Sequence, residues 1–218
     1  EVTVELPGQM EPWMDAFTPE GYSLRELCEE TINEVLAVGR FGILVDYLRV
    51  EEPETMTVAR AESMGLRPYP SLYRAESITN WREGVVNGKR QLVLVTLKEE
   101  TDQPDEDDEF GHEKQVRYRV LSLDATGYRV RVYRKDENGD YVIESDFYPV
   151  MNGQRMSVIP FFLIAPTPQG SASPAKPPLI DLVDTNLAHY QNSADYEHGL
   201  HFTGSPTPVV TGYSAADG

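Results

Sequence analysis

The stretch QVRYRVLSLDATGYRVRVYRKDENGDYVIESDFYPV, residues Gln115–Val150, decides the fold. It holds three β-prone segments, Gln115–Leu123, Gly127–Arg134 and Tyr141–Val150, separated by the turn signals Asp124–Thr126 and Asn138-Gly139. Alternating polar and apolar residues between short turns describe an antiparallel meander. If Tyr118, Val120, Tyr128, Val130 and Val132 all face the core, the first turn pairs Val120 with Val130, which requires an odd loop. That register gathers Arg117, Arg119, Arg129 and Arg131 on the opposite face, because side chains alternate with a period of two. An even second loop then brings Tyr141, Ile143 and Phe147 to the apolar side.

Upstream, Asn87-Gly88 predicts a hairpin that joins a segment from Ile78–Arg82 to a strand over Gln91–Glu99. Residues 99–113 carry nine acids, whose mutual repulsion predicts a loop. Ser157–Ile164 is almost wholly apolar and reads as a fourth, buried strand. Before the sheet, Ser23 and Glu26 have capping-box spacing and predict a helix start. Leu24, Leu27, Cys28, Thr31, Ile32, Val35 and Leu36 mark its apolar face, with Cys28 expected as a small buried hydrophobe. Gly39 is placed to end that helix in the left-handed conformation. Phe41–Leu48 follows as a buried strand, and residues 49–66 read as a polar loop with one helical turn. Pro7, Pro12 and Pro19 make the first 20 residues irregular, with Trp13 and Phe17 as anchors.

Composition narrows the function classes. The net charge of −17 opposes a free-standing nucleic-acid binder, which normally shows a basic stripe. A DNA conduit remains compatible, because a wall past which DNA slides must not hold phosphates tightly. A single cysteine excludes an internal disulfide. The longest apolar runs fall short of the roughly 20 residues that span a bilayer. The chain opens at Glu1 and stops at Gly218, just after a new extended segment, so a fragment of a longer protein is expected.

The C-terminal part, PPLIDLVDTNLAHYQNSADYEHGLHFTGSPTPVV, residues Pro177–Val210, reads as one long helix from about residue 176 to 203. Leu179, Leu182, Val183, Leu187, Tyr190 and Ala194 recur at helical steps, and Asp184, Asn192, Asp195 and Glu197 line the opposite side. The wording of this segment resembles an uncharacterised family of tailed-bacteriophage proteins that look like portal proteins. The resemblance extends upstream through Gly39–Asp46, Arg67-Pro68-Tyr69, Tyr73–Arg82 and Ile159–Phe162, in that order. It implies a structural subunit of the homo-oligomeric ring at one capsid vertex, the DNA conduit and head-tail connector. The implied partners are copies of the chain, the packaging terminase, capsid and tail or adaptor proteins, and double-stranded DNA passing without sequence-specific contacts. The implied location is the virion, and the host cytoplasm during assembly. No membrane, cofactor or catalytic residue enters that reading.

Four other patterns compete for chemistry. The four arginines are a candidate subunit interface, answered by the acidic segment Asp102–Glu113 of the same or an adjacent copy, or else a solvated sheet face. That acidic segment lacks the residue order of an EF-hand. Asp195, His198 and His201 have ligand-like spacing, but neither a cysteine nor another histidine is near in sequence except His189; helix packing explains them as well. Gly84–Arg90 faintly echoes a phosphate loop, yet is one residue short and has arginine where magnesium binding needs Ser or Thr.

The sequence therefore predicts an α+β fold: an N-terminal helix on a mostly antiparallel sheet, with a β-meander and a long C-terminal helix. Residues 1–170 form the wing-like body, and 171–218 a linker and the helix leading toward a stem. The alternatives are a metal-dependent hydrolase with its site around Asp195, His198 and His201, and a monomeric phage binding module.

Overall fold

A computed structural model of the chain describes residues 7, 8, 10–47, 60, 63–104, 111–136, 138–151, 153–167, 172–204, 209, 211 and 212. The fold is α+β, as the sequence predicts. The chain divides into two compact units, Glu1–Pro178 and Leu179–Gly218.

Helix α1 spans Leu24–Val38, and its ends are the ones the sequence marks. Ser23 Oγ accepts from the Glu26 amide at 3.2 Å, and a Glu26 carboxylate oxygen accepts from the Ser23 amide at 2.8 Å. Each satisfies a first-turn donor that no helical carbonyl reaches. Gly39 (φ 80°) ends the helix, its amide donating to the Val35 carbonyl. The inward stripe is rotated from the expected one. Leu27 is buried, whereas Ile32, Leu36 and Cys28 are exposed. On the face turned inward, Glu30 and Glu34 bind Arg74 at 2.9 and 3.3 Å.

Strands β1 (Phe41–Tyr47) and β2 (Pro68–Arg74) pair antiparallel, and β1 also pairs with β10 (Phe161–Ile164). The expected fourth strand is thus four residues long and joins this separate three-stranded sheet rather than the meander; Phe162 on it is exposed. The second sheet has five antiparallel strands in sequential order: β3 (Ile78–Val86), β4 (Lys89–Pro104), β5 (His112–Asp124), β6 (Gly127–Lys135) and β7 (Tyr141–Phe147). A short hairpin, β8 (Val150–Met151) with β9 (Gln154–Arg155), follows. Side chains of both sheets meet in one core of Leu44, Tyr73, Phe161, Ile78, Val95, Leu97, Leu121, Tyr128, Val130 and Ile159. Gly42 has no Cβ because Phe161 occupies that space: a Cβ there would lie 2.5 Å from the ring.

The meander register differs from the expected one. Asp124 pairs with Gly127, so the first loop has two residues and Leu121, not Val120, lies opposite Val130. Asp124 fixes this tight turn by accepting from the Thr126 amide at 2.7 Å and the Thr126 hydroxyl at 2.6 Å. An even loop inverts β5 relative to the expectation. Leu121 goes into the core beside Val130, while Tyr118 and Val120 go to the outer face. The second loop is odd, not even: Lys135 pairs with Tyr141, which leaves five residues between them, and a bulge between Val132 and Tyr133 restores the expected parity only at Phe147. Phe147 packs on the core, but Tyr141 and Ile143 lie on the outer face, each 54% exposed.

The expected acidic loop is shorter than the sequence predicts. β4 runs to Pro104 and β5 starts at His112, so pairing overrides the repulsion of these carboxylates; residues 105–110 lie outside the described residues. The loop expected over 49–66 lies mostly outside them too. Asn87-Gly88 forms the predicted tight turn, with φ of 51° and 75°.

In the second unit, helix α2 runs over Ile180–Gly204, about 37 Å at 1.5 Å per residue. By itself it buries no side chain.

Candidate functional site

The register decides where the arginines go. Arg117 and Arg119 share the inner face of β5 with Leu121, whereas Arg129 and Arg131 lie on the outer face of β6. The single four-arginine face is therefore not formed. Three of the four are answered within the chain. Arg117 binds Glu144 at 2.9 Å. Arg129 holds Asp146 through two hydrogen bonds and lies over the Tyr148 ring. That contact with Arg129 lowers the Asp146 carboxyl below the usual aspartate range. Arg131 makes no ion pair among the described residues; it lies over Tyr133, and its Nε is buried without a hydrogen-bond acceptor.

Arg119 is the centre of a half-buried network between the two sheets. Its Nε donates to Glu99 at 2.7 Å and its Nη1 to Asp46 at 2.7 Å. The Tyr73 hydroxyl donates to the same Glu99 oxygen at 2.6 Å. Asp46 comes from β1, Tyr73 from β2, Glu99 from β4 and Arg119 from β5, so the network ties four strands of both sheets. Burial opposes the charge on Arg119, but Glu99 and Asp46 outweigh it and the guanidinium is held more firmly protonated than usual. Burial, then the Glu99 charge, pushes the Tyr73 hydroxyl far up. Tyr128 and Tyr69 are raised for the same first reason, burial, and then by Asp46. The Arg119 guanidinium and the Tyr73 hydroxyl are both used internally. Its geometry is that of a clamp across the two sheets.

A second buried cation lies at the start of β1. Arg40 is 5% exposed and stacks over the Trp81 ring at 3.8 Å. Burial lowers its pKa, and its Nε and Nη2 find no acceptor among the described residues. Trp81 itself packs against the core, so it is an edge of the hydrophobic cluster. The Gly84–Arg90 segment is hairpin, with Val86 paired to Lys89, and cradles no phosphate-loop geometry.

On α2, His198 and His201 both approach the ring of Phe202, at 4.7 and 6.2 Å between centroids. Among the described residues no three histidine, cysteine or acidic side chains converge to hold a metal. Along the same helix, Leu182, Val183, Leu187 and Tyr190 stand more than half exposed. None of the described helices is long and apolar enough to cross a membrane.

Residues 178–218 match the family described as "Domain of unknown function (DUF4055)". The match takes in all of α2 and the chain after it, and leaves both sheets outside. No curated protein matches the chain.

Sequence reasoning missed the outer face of the five-stranded sheet. Its rows are set by the pairings: Lys98 beside Tyr118 beside Tyr133 beside Ile143, then Thr96 beside Val120 beside Arg131 beside Asp146. Tyr141 meets Tyr118 edge-on, 5.5 Å between centroids, and Lys135 lies over Tyr141. The visible signal was the pair Leu121 and Leu123 next to the turn, which claims the core more strongly than Tyr118 and Val120 do.

Proposed function

We propose that this chain is part of a structural subunit of a phage portal ring, the DNA conduit at a capsid vertex. The observation that carries the proposal is α2. A helix of 25 residues with an exposed apolar stripe and no buried side chain requires a partner surface. Copies of the same helix side by side in a ring supply one. The order of sequence motifs that resembles portal-like phage proteins points the same way, and so does the clamp-like chemistry of the ion networks, which stiffens a body rather than turning over a substrate. In this reading the sheets form the outer body, and α2 leads toward the stem lining the channel. The partners are further copies, the packaging terminase, capsid and tail proteins, and DNA held without sequence-specific contacts. The subunit resides in the virion, and in the host cytoplasm during assembly.

Native mass spectrometry of the complete gene product, with negative-stain images, tests this. Closed rings support it. A protein that stays monomeric at micromolar concentration overturns it and favours a monomeric binding module.

A further inference from the structure

We propose that the outer face of the five-stranded sheet is a docking surface for the acidic segment 105–110, Asp-Glu-Asp-Asp-Glu-Phe, of a second copy of this chain. The inference rests on the ring reading above and names the two surfaces that meet in it.

The face is chemically unlike the rest of the molecule. Period-two alternation along the paired strands puts seven cations on it, among them Arg82, Lys89, Lys98, Arg131 and Lys135, against the four carboxylates of Glu100, Asp102, Asp124 and Asp146. The face thus carries a surplus of three positive charges on a chain whose net charge is −17. Lys98 and Arg129 are spoken for by Glu100 and Asp146. Arg82, Arg131 and Lys135 form no ion pair among the described residues. Arg131 has, besides, a buried Nε with no acceptor, and a buried donor left unsatisfied is costly. Beside these cations lie Tyr118 and Tyr133, with Tyr141 and Ile143 more than half exposed. Such a surface takes carboxylates on its cations and an apolar ring on its tyrosines, and segment 105–110 offers five consecutive carboxylates followed by Phe110.

Geometry favours a second copy over the same one. β3 pairs with β4 only as far as Leu97, and β6 pairs with β5 only as far as Arg117. Beyond that row β4 and β5 continue as a two-stranded ribbon to Pro104 and His112. Five more residues per strand extend it by about 15 Å. The described residues of β4 and β5 thus end at Pro104 and His112, on the far side of the ribbon from the tyrosine rows of the same copy. A ribbon on one copy and a face on the next make a head-to-tail contact, in which every copy gives one and receives one, as a ring requires. Tyrosines and cations on a sheet also suit single-stranded nucleic acid, but every copy carries a matching acidic segment, which assembly brings to its neighbour at high local concentration.

The test uses a fluorescent peptide of residues 102–113 and the 218-residue chain with its own segment neutralised (Asp105→Asn, Glu106→Gln, Asp107→Asn, Asp108→Asn, Glu109→Gln). Saturable binding is expected. Adding Arg131→Ser and Lys135→Ser should weaken it about tenfold or more, as should salt raised from about 0.1 to about 1 M, where screening shortens from about 10 to about 3 Å. Removing two charges elsewhere, Arg25→Ser with Arg90→Ser, should leave it unchanged, and equal melting temperatures confirm that each variant folds. Absence of binding, equal loss in the control pair, or an oligonucleotide that binds this face while the peptide does not, overturns the proposal. In the complete gene product, rings that form unchanged with Arg131→Ser and Lys135→Ser overturn the contact and leave the ring. A peptide bound at this face by a product that stays monomeric overturns the ring and leaves the contact.

Discussion

Replacing Arg119 by methionine should destabilise the chain by about 2–3 kcal/mol at pH 7. The magnitude follows from its surroundings. Breaking a fully buried ion pair costs about 3–5 kcal/mol, because the partner is stranded, and an exposed pair contributes about 0–1 kcal/mol. Arg119 and its partners Asp46 and Glu99 are 20–28% exposed at the side chain, which places the loss between these limits. Methionine keeps most of the packing volume, so the loss reports the charge. Two carboxylates then face each other between the sheets, and among the described residues Glu99 keeps only the Tyr73 hydroxyl as a donor. Urea unfolding at pH 7 measures the effect. With a slope of about 2 kcal/mol per molar, the midpoint should fall by about 1–1.5 M. A second variant separates the mechanisms. Arg119→Met combined with Glu99→Gln and Asp46→Asn should be more stable than Arg119→Met alone, since most of the loss comes from the stranded carboxylates. A single-variant cost below about 0.5 kcal/mol, or a triple variant no more stable than the single one, refutes the clamp.

Three further outcomes are expected. Tyr73 has a folded pKa raised by burial and by Glu99, so its contribution is fully present below about pH 10 and is lost as pH rises beyond it; Tyr73→Phe should flatten the alkaline limb of urea midpoints measured from neutral to strongly alkaline pH. Asp124 is held down to about 2 by the Thr126 hydroxyl and amide, so its contribution is present above the ordinary carboxyl range, near 4, and disappears as pH falls from there through about 2; Asp124→Asn should make the acid limb of thermal melts shallower in that window. Gly42→Ala should cost about 1–3 kcal/mol by overpacking, because its Cβ would meet Phe161 at 2.5 Å and Ile78 at 3.0 Å; an unchanged denaturation midpoint would show that Phe161 yields freely.

The sequence by itself determined the elements whose causes are local. The Ser23–Glu26 box, the Gly39 stop, the Asn87-Gly88 turn and the period of α2 each rest on residues a few positions apart, and each appears where the spacing puts it. Tertiary structure decided which way the strands face. β5 carries apolar residues on both sides, Leu121 and Leu123 on one and Tyr118 and Val120 on the other, so its pattern alone does not choose a core face. One residue in the length of a turn reverses that choice, and the hydrogen bonds of Asp124 to Thr126 select the shorter turn. The arginines were misplaced for a related reason. Sequence alone places charge outward, yet Arg119 faces inward because Asp46, 73 residues away in the chain, and Glu99 meet it there. A partner supplied by a distant strand leaves no periodic trace in the sequence. Only the pairing of the sheets brings it within hydrogen-bonding distance, and only then is an inward guanidinium stable.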